Sequence, residues 1–252
     1  MKAIYRVAGM MVAVVALLAL SMPVYASTTD SRIESTANKS YVFQTYLQGD
    51  DIKIESRDGA VTLTGTVADN HHKSLAEETV AGLPGVKSVD NRLEVKGEPP
   101  TANSDAWLMM KVKNTLLFHR SVSASTTEVD VKDGIVTLRG DAASQAQKEL
   151  TAEYAKDVEG VKDVNNEMTV TKSAKKTRTV GEKIDDASIT AQVKLTLLWH
   201  RSTSAINTKV ETRRGVVTLY GKAGSAAELN LASKLANDVK GVKSVKNRMV
   251  IE

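Results

Sequence analysis

Gly134-Ile-Val-Thr-Leu-Arg-Gly140 is the stretch from which the fold can be read. Between its two glycines Val136 and Leu138 alternate with Thr137 and Arg139, a period of two that turns one face of a strand inward. Asp133-Gly134 supplies a tight turn, because glycine tolerates positive φ. Upstream, Thr127, Val129 and Val131 alternate with Glu128 and Asp130, so the two segments read as a hairpin. The same pattern recurs at Gly59-Ala-Val-Thr-Leu-Thr-Gly65 and Gly215-Val-Val-Thr-Leu-Tyr-Gly221. A second motif, Gly-Val-Lys-x-Val-x-Asn, follows each one, beginning at Gly85, Gly160 and Gly241.

Two motifs at a fixed separation in three places define a repeat. Three segments of 66 residues align without gaps: 30–95, 105–170 and 186–251. Linkers of unequal length separate them, which predicts three similar domains rather than a solenoid. Before each hairpin an apolar residue recurs every fourth position: Ile33, Ala37 and Tyr41; Leu108, Val112 and Leu116; Ile189, Val193 and Leu197. That spacing predicts an amphipathic helix. A second helix is expected from Ser144 to Val158, burying Ala146, Leu150 and Val158, with Gly160 ending it and Val161 to Val170 forming the last strand. Gly59, Gly134 and Gly215 belong to the hairpin turns; Gly65, Gly140 and Gly221 are expected to end the second strand, where the chain swings into a helix. The fold class is therefore α+β: helix, strand, strand, helix, strand, with two helices on one face of a three-stranded sheet. Strand order is not fixed by this pattern.

Residues 1–26 read as a secretory leader: Lys2 and Arg6, the apolar run Val7 to Leu20, then small residues before Ser27. The run is shorter than the roughly 20 apolar residues a spanning helix needs. No integral span is expected after cleavage, and no cysteine near Ser27 offers a lipid anchor. Losing Lys2 and Arg6 from 34 basic side chains, against 30 acidic ones, leaves a charge of about +2, too mild for a general nucleic-acid binder. With no cysteine there is neither a disulfide nor a thiolate metal site. The linker 96–104 carries Pro99-Pro100 and reads as a stiff spacer; 171–185 carries Lys172, Lys175, Lys176, Arg178 and Lys183, reads as a solvated tether, and predicts a third domain free to move relative to the second.

No catalytic, cofactor or metal site is expected. His71-His72 lacks metal-ligand spacing, and Ser121, Ser123 and Ser125 lack a nucleophile elbow. Asp58 and Asp133 are turn residues whose counterpart is Arg214. His119-Arg120 and His200-Arg201 close the first helices of repeats two and three, where a cation meets unpaired carbonyls and the negative end of the helix dipole. Both pairs lie in a longer shared text, Thr-Leu-Leu-(Phe/Trp)-His-Arg-Ser, from Thr115 and Thr196.

At roughly 100° per residue the first helices carry a second edge beside the core stripe. It reads Trp107, Met110, Asn114 and Phe118 in repeat two, Ser188, Ala191, Leu195 and Trp199 in repeat three, and Arg32, Ser35, Lys39 and Phe43 in repeat one. Aromatics beside Lys111, Lys113 and Arg120 suit the interface of an anionic bilayer, where the ring sits at headgroup depth and the cations stay wet. Trp107, Met110, Lys111, Lys113, Phe118, Arg120, Leu195 and Trp199 are thus the candidate lipid or partner contacts, centred on Trp107. The structural alternative is that Trp107 packs against a neighbouring domain or caps its own core.

The glycine-bracketed hairpin followed by Gly-Val-x-x-Val-x-Asn resembles the BON domain family of bacterial envelope proteins, three times over nearly the whole mature chain. The chain is similar to the osmotically inducible periplasmic members, which usually carry two such domains. That resemblance implies a periplasmic location, a role in envelope integrity under osmotic stress, and peripheral contact with anionic phospholipid. The alternative class is a chaperone-like or scaffold protein that binds envelope polypeptides through the same helix edges.

Overall fold

The computed structural model describes residues 24–97, 100–101, 103–171, 183–203 and 208–252. Most of the leader and most of the basic linker, including Lys172, Lys175, Lys176 and Arg178, lie outside the described residues. The first repeat comprises α1 (Val24–Lys39), α2 (Tyr41–Thr45), β1 (Asp51–Arg57), β2 (Ala60–Val67), α3 (Asn70–Ala81) and β3 (Ser88–Val95). The second comprises α4 (Asp105–Phe118), β4 (Thr127–Lys132), β5 (Ile135–Ala142), α5 (Gln145–Lys156), β6 (Asp163–Asn166) and β7 (Thr169–Val170). The third comprises α6 (Asp186–Trp199), β8 (Thr208–Arg213), β9 (Val216–Ala223), α7 (Ala226–Asp238), β10 (Ser244–Asn247) and β11 (Val250–Ile251).

Each repeat is the expected helix-strand-strand-helix-strand unit. The hairpin's second strand is central, antiparallel to the first and parallel to the last. The parallel pair requires a crossover, which α3, α5 and α7 supply. In repeat two, Val129, Val136, Leu138 and Met168 of the sheet side meet Leu108, Val112, Leu116, Tyr154 and Ala155 of the helices in one buried cluster. Equivalent clusters fill the other two repeats.

Several local expectations need correction. In repeat one the helix breaks: Ser40 caps α2 through its side chain, so Val42 and Phe43 enter the core and Tyr41 does not. In α5, Ala146 is exposed and Leu150 only half-buried, whereas Thr151, Tyr154 and Ala155 are buried. Gly140 does not end its strand. It pairs with Thr127 inside β5 at φ +110°, and a Cβ there would stand 1.9 Å from the Thr126 carbonyl oxygen. Gly65 has the same relation to the Asp51 carbonyl at 2.0 Å, so this position is glycine because two backbones converge on it.

A mobile third repeat was also expected, and the packing contradicts it. Repeat three packs against both of the others, which also meet each other where Phe118 enters the core of repeat one. Its α6 packs along α3, where Lys194 pairs with Glu78 at 2.5 Å and the Cα of Ala187 lies 3.4 Å from the position a Cβ on Gly82 would take. Asp185 and Ser188 accept the backbone N–H groups of Tyr41 (2.7 Å) and Val42 (3.1 Å) in the first turn of α2. Its other side joins repeat two through paired backbone bridges, His119 with Val239 and Val158 with His200. The linker between repeats two and three therefore spans two bodies that are already bonded to each other.

Candidate functional site

The C-terminal ends of α4 and α6 meet the C-terminal ends of α7 and α5 in a two-fold-like exchange. Arg120 N–H donates to the Asp238 carbonyl (3.0 Å) and Lys240 N–H to that of Phe118 (2.9 Å). On the mirrored side Arg201 N–H donates to the Asp157 carbonyl (3.0 Å) and Glu159 N–H to that of Trp199 (3.0 Å). The guanidinium of Arg120 donates to the carbonyls of Asn237, Val239 (3.0 Å) and Val242 (2.7 Å); that of Arg201 donates to Lys156, Val158 (3.3 Å) and Val161 (3.0 Å). A guanidinium with several donors in a fixed fork suits a cluster of orphan helix-end carbonyls. The cation expected at this helix end is thus arginine, and the carbonyls it meets belong to the other repeat.

The histidines beside these arginines are buried. His119 stacks on Tyr154 at 3.7 Å with the rings 7° from parallel, and burial pushes its pKa down to about 4. The Tyr154 hydroxyl donates to the Asp238 carboxylate at 2.8 Å, and burial raises its pKa. His200 accepts from Ser202 N–H at Nδ1 (3.1 Å) and faces Asp157 at 3.6 Å; burial lowers its pKa as well. These groups surround a void of about 10 Å³, too small for anything beyond a water molecule. His119, His200, Tyr154 and Asp157 line it without any room for a substrate.

The apolar helix edges expected to face a ligand are largely used inside the chain. Phe118 is fully buried and Leu195 nearly so, both in the cluster that holds the core of repeat one. Trp199 stacks on Phe118 (centroids 6.4 Å apart) and touches the ring of His71 at 4.6 Å, joining all three repeats. His71 is buried among them, which keeps its pKa well below the ordinary value. Lys111 is only 4% exposed: its ammonium lies 4.1 Å from the Trp107 ring centre and donates to the Glu159 carbonyl at 3.3 Å. Trp107 is half-buried against the core of its own repeat, Met110 is half-buried, and Lys113 is exposed.

Two sets of polar residues were missed in the sequence. Asp105 and Asp186 open α4 and α6 and Asp30 lies within α1, and all three reach over the hairpin turns; Asp105 accepts from Asp133 N–H (2.7 Å) and Gly134 N–H (2.8 Å), and Asp186 from Arg214 N–H and Gly215 N–H at the same lengths. The asparagine of the second motif ties the last strand to the second helix: Asn166 Nδ2 donates to the Lys148 carbonyl (2.7 Å) and Asn247 Nδ2 to that of Leu229 (2.8 Å). The signal for both was the gapless alignment itself, in which the aspartate begins every repeat.

A family model described as the BON domain matches residues 29–97, 104–172 and 185–252, one match to each helix-strand-strand-helix-strand unit. The chain belongs to the BON-domain family. Osmotically-inducible protein Y of Escherichia coli is 33% identical to it over 196 residues, 78% of this chain and 95% of that one. Outer membrane lipoprotein DolP of Haemophilus influenzae is 30% identical over 145 residues, 54% of this chain and 75% of that one. Among solved structures, the C-terminal domain of CdsD from Chlamydia trachomatis aligns over 87% of this chain and 95% of its own at 16% identity, with a TM-score of 0.24 that carries no argument. Membership in the BON family makes this a non-catalytic periplasmic protein linked to stress response. Among the described residues no helix is long and apolar enough to cross a membrane.

Proposed function

We propose that this BON-domain chain supports the cell envelope during osmotic stress by peripheral contact with anionic phospholipid, and that the Trp107 end of α4 takes part. One observation carries the location: after the repeats have packed, Trp107 and Met110 still keep part of their surface and Lys113 is exposed, while the far end of the same edge is covered. An indole that keeps surface on the same helix as an exposed lysine suits headgroup depth. The chaperone-like alternative needs the apolar helix edges as its binding surface, and Phe118 and Leu195 are buried between repeats.

Flotation of the mature protein with vesicles tests this. Wild type is expected to float with anionic vesicles and to stay behind with neutral ones, and Trp107→Glu, checked for an unchanged circular dichroism spectrum, to float several-fold less. Equal flotation of the two proteins would remove Trp107 from the contact.

A further inference from the structure

The open sheet faces, turned away from the helices, differ among the three repeats at equivalent positions. In repeat three the register builds cross-strand rows: Arg213 beside Val216, Glu211 beside Thr218 and Lys246, Lys209 beside Tyr220. Arg248 closes the last row, its guanidinium 6.0 Å from the Tyr220 ring centre, with the Lys209 ammonium 5.9 Å from the same ring. Those rows hold four cations and one carboxylate, Glu211, which Lys209 engages at 2.8 Å. The same positions in repeat two hold Lys132 and Arg139 against Glu128, Asp130, Asp163 and Glu167. In repeat one they hold Lys53, Arg57 and Arg92 against Glu55 and Asp90.

Repeat three also has the apolar additions. Tyr220 stands where the others have Arg139 and Thr64, and Val250, 60% exposed, where they have Thr169 and Glu94. Ile251, in register with the core residue Ala223, turns to the other side of the strand, as Val170 does in repeat two. A fold shared by three repeats does not require one face to be basic, aromatic and edged by a bare valine.

We propose that the open sheet face of repeat three is a docking surface for an anionic phospholipid bilayer. It rests on the reading that this chain touches anionic lipid, and it names a surface that no helix edge supplies. Charge and shape together select the occupant. A flat face of cations meets a plane of headgroups, Tyr220 sits at interfacial depth, and Val250, in register with Lys222 on the same face, offers the shallow apolar insertion that a soluble polyanion would not reward. The more acidic face of repeat two would be repelled by the same bilayer.

The test compares mature wild type, the face variant Arg213→Glu/Lys246→Glu/Arg248→Glu, a control with an equal charge change elsewhere (Lys39→Glu/Lys132→Glu/Lys162→Glu), and Trp107→Glu. Each is titrated with phosphatidylcholine vesicles with and without phosphatidylglycerol, and, separately, with poly-glutamate; circular dichroism verifies folding. Three surface cations account for about a hundredfold in vesicle affinity before screening. The face variant is expected to lose at least tenfold for phosphatidylglycerol vesicles, and more than the control loses. If wild type binds and the face variant loses no more than the control, the sheet-face proposal is overturned while lipid contact stands. If wild type ignores phosphatidylglycerol vesicles, the lipid reading itself falls; poly-glutamate binding that depends on the face would then identify an acidic polypeptide as the occupant instead.

Discussion

At the scale of the residue, Gly140 and the buried histidines make the sharpest commitments. A methyl group on Gly140 meets the Thr126 carbonyl oxygen at 1.9 Å in a backbone already at φ +110°. Gly140→Ala is expected to cost about 3 kcal/mol of stability in urea unfolding, where an exposed glycine with open space and no positive φ, such as Gly49, would lose little. Composition and alternation made these glycines visible; the close carbonyl was not visible, because it belongs to the residue that leads into the strand across the hairpin. The histidines predict a pH dependence. A free histidine titrates near 6.5, whereas His119 is held down to about 4 by burial, with Asp238 opposing and His200 and Lys240 assisting, and His71 and His200 are lowered mainly by burial too. Below about pH 6.5 the unfolded chain takes up protons that the folded chain refuses. Stability is therefore complete above that pH and falls towards pH 4, by up to about 1.4 kcal/mol per pH unit for each histidine. Asp30, lowered by its hydrogen bonds to Ser56 and the turn amides, loses its contribution only at more acid pH. Urea midpoints between pH 7 and 4.5 are expected to fall in wild type and to fall less steeply in His71→Phe; parallel slopes would refute the assignment for His71.

At the scale of the element, the shared text from Thr115 and Thr196 acquires a cause. Repeats two and three have His-Arg-Ser after the first helix and repeat one does not, because only two and three exchange helix ends. The periodicity of each helix was legible because a core stripe is a local property of 3.6 residues per turn. Which helix end an arginine caps was not legible, since Arg120 and the Val239 carbonyl lie in different repeats and no local period connects them. The second edge was legible as apolar, yet its partner was not, for the same reason. Arg120→Ala/Arg201→Ala removes both sets of charge-assisted bonds, each worth about 1.5–3 kcal/mol. Its calorimetric trace is expected to separate into more than one transition; a single, unshifted transition would show that these caps do not couple the repeats. Asn166→Ala leaves the Lys148 carbonyl without its side-chain donor and is expected to cost about 1–3 kcal/mol, measured by urea unfolding.

At the scale of the whole molecule, three small domains of marginal individual core share their apolar helix edges and become one body in which each repeat touches the other two. That arrangement spends the surfaces that a helix-edge binding model would need, and it leaves the open sheet faces and the Trp107 end of α4 for partners. The family and the three-fold repetition were evident from motifs; the three-way packing was not, because the linkers permit many arrangements and only the interlocked helix ends and shared aromatic contacts select one. The central claim is this coupling of repeats two and three, and amide hydrogen exchange of the mature protein measures it directly. The N–H groups of Arg120, Lys240, Glu159 and Arg201 are expected to be protected to about the same degree as those of the central strands β5 and β9. Exchange of those four amides at the rate of exposed loops would contradict it.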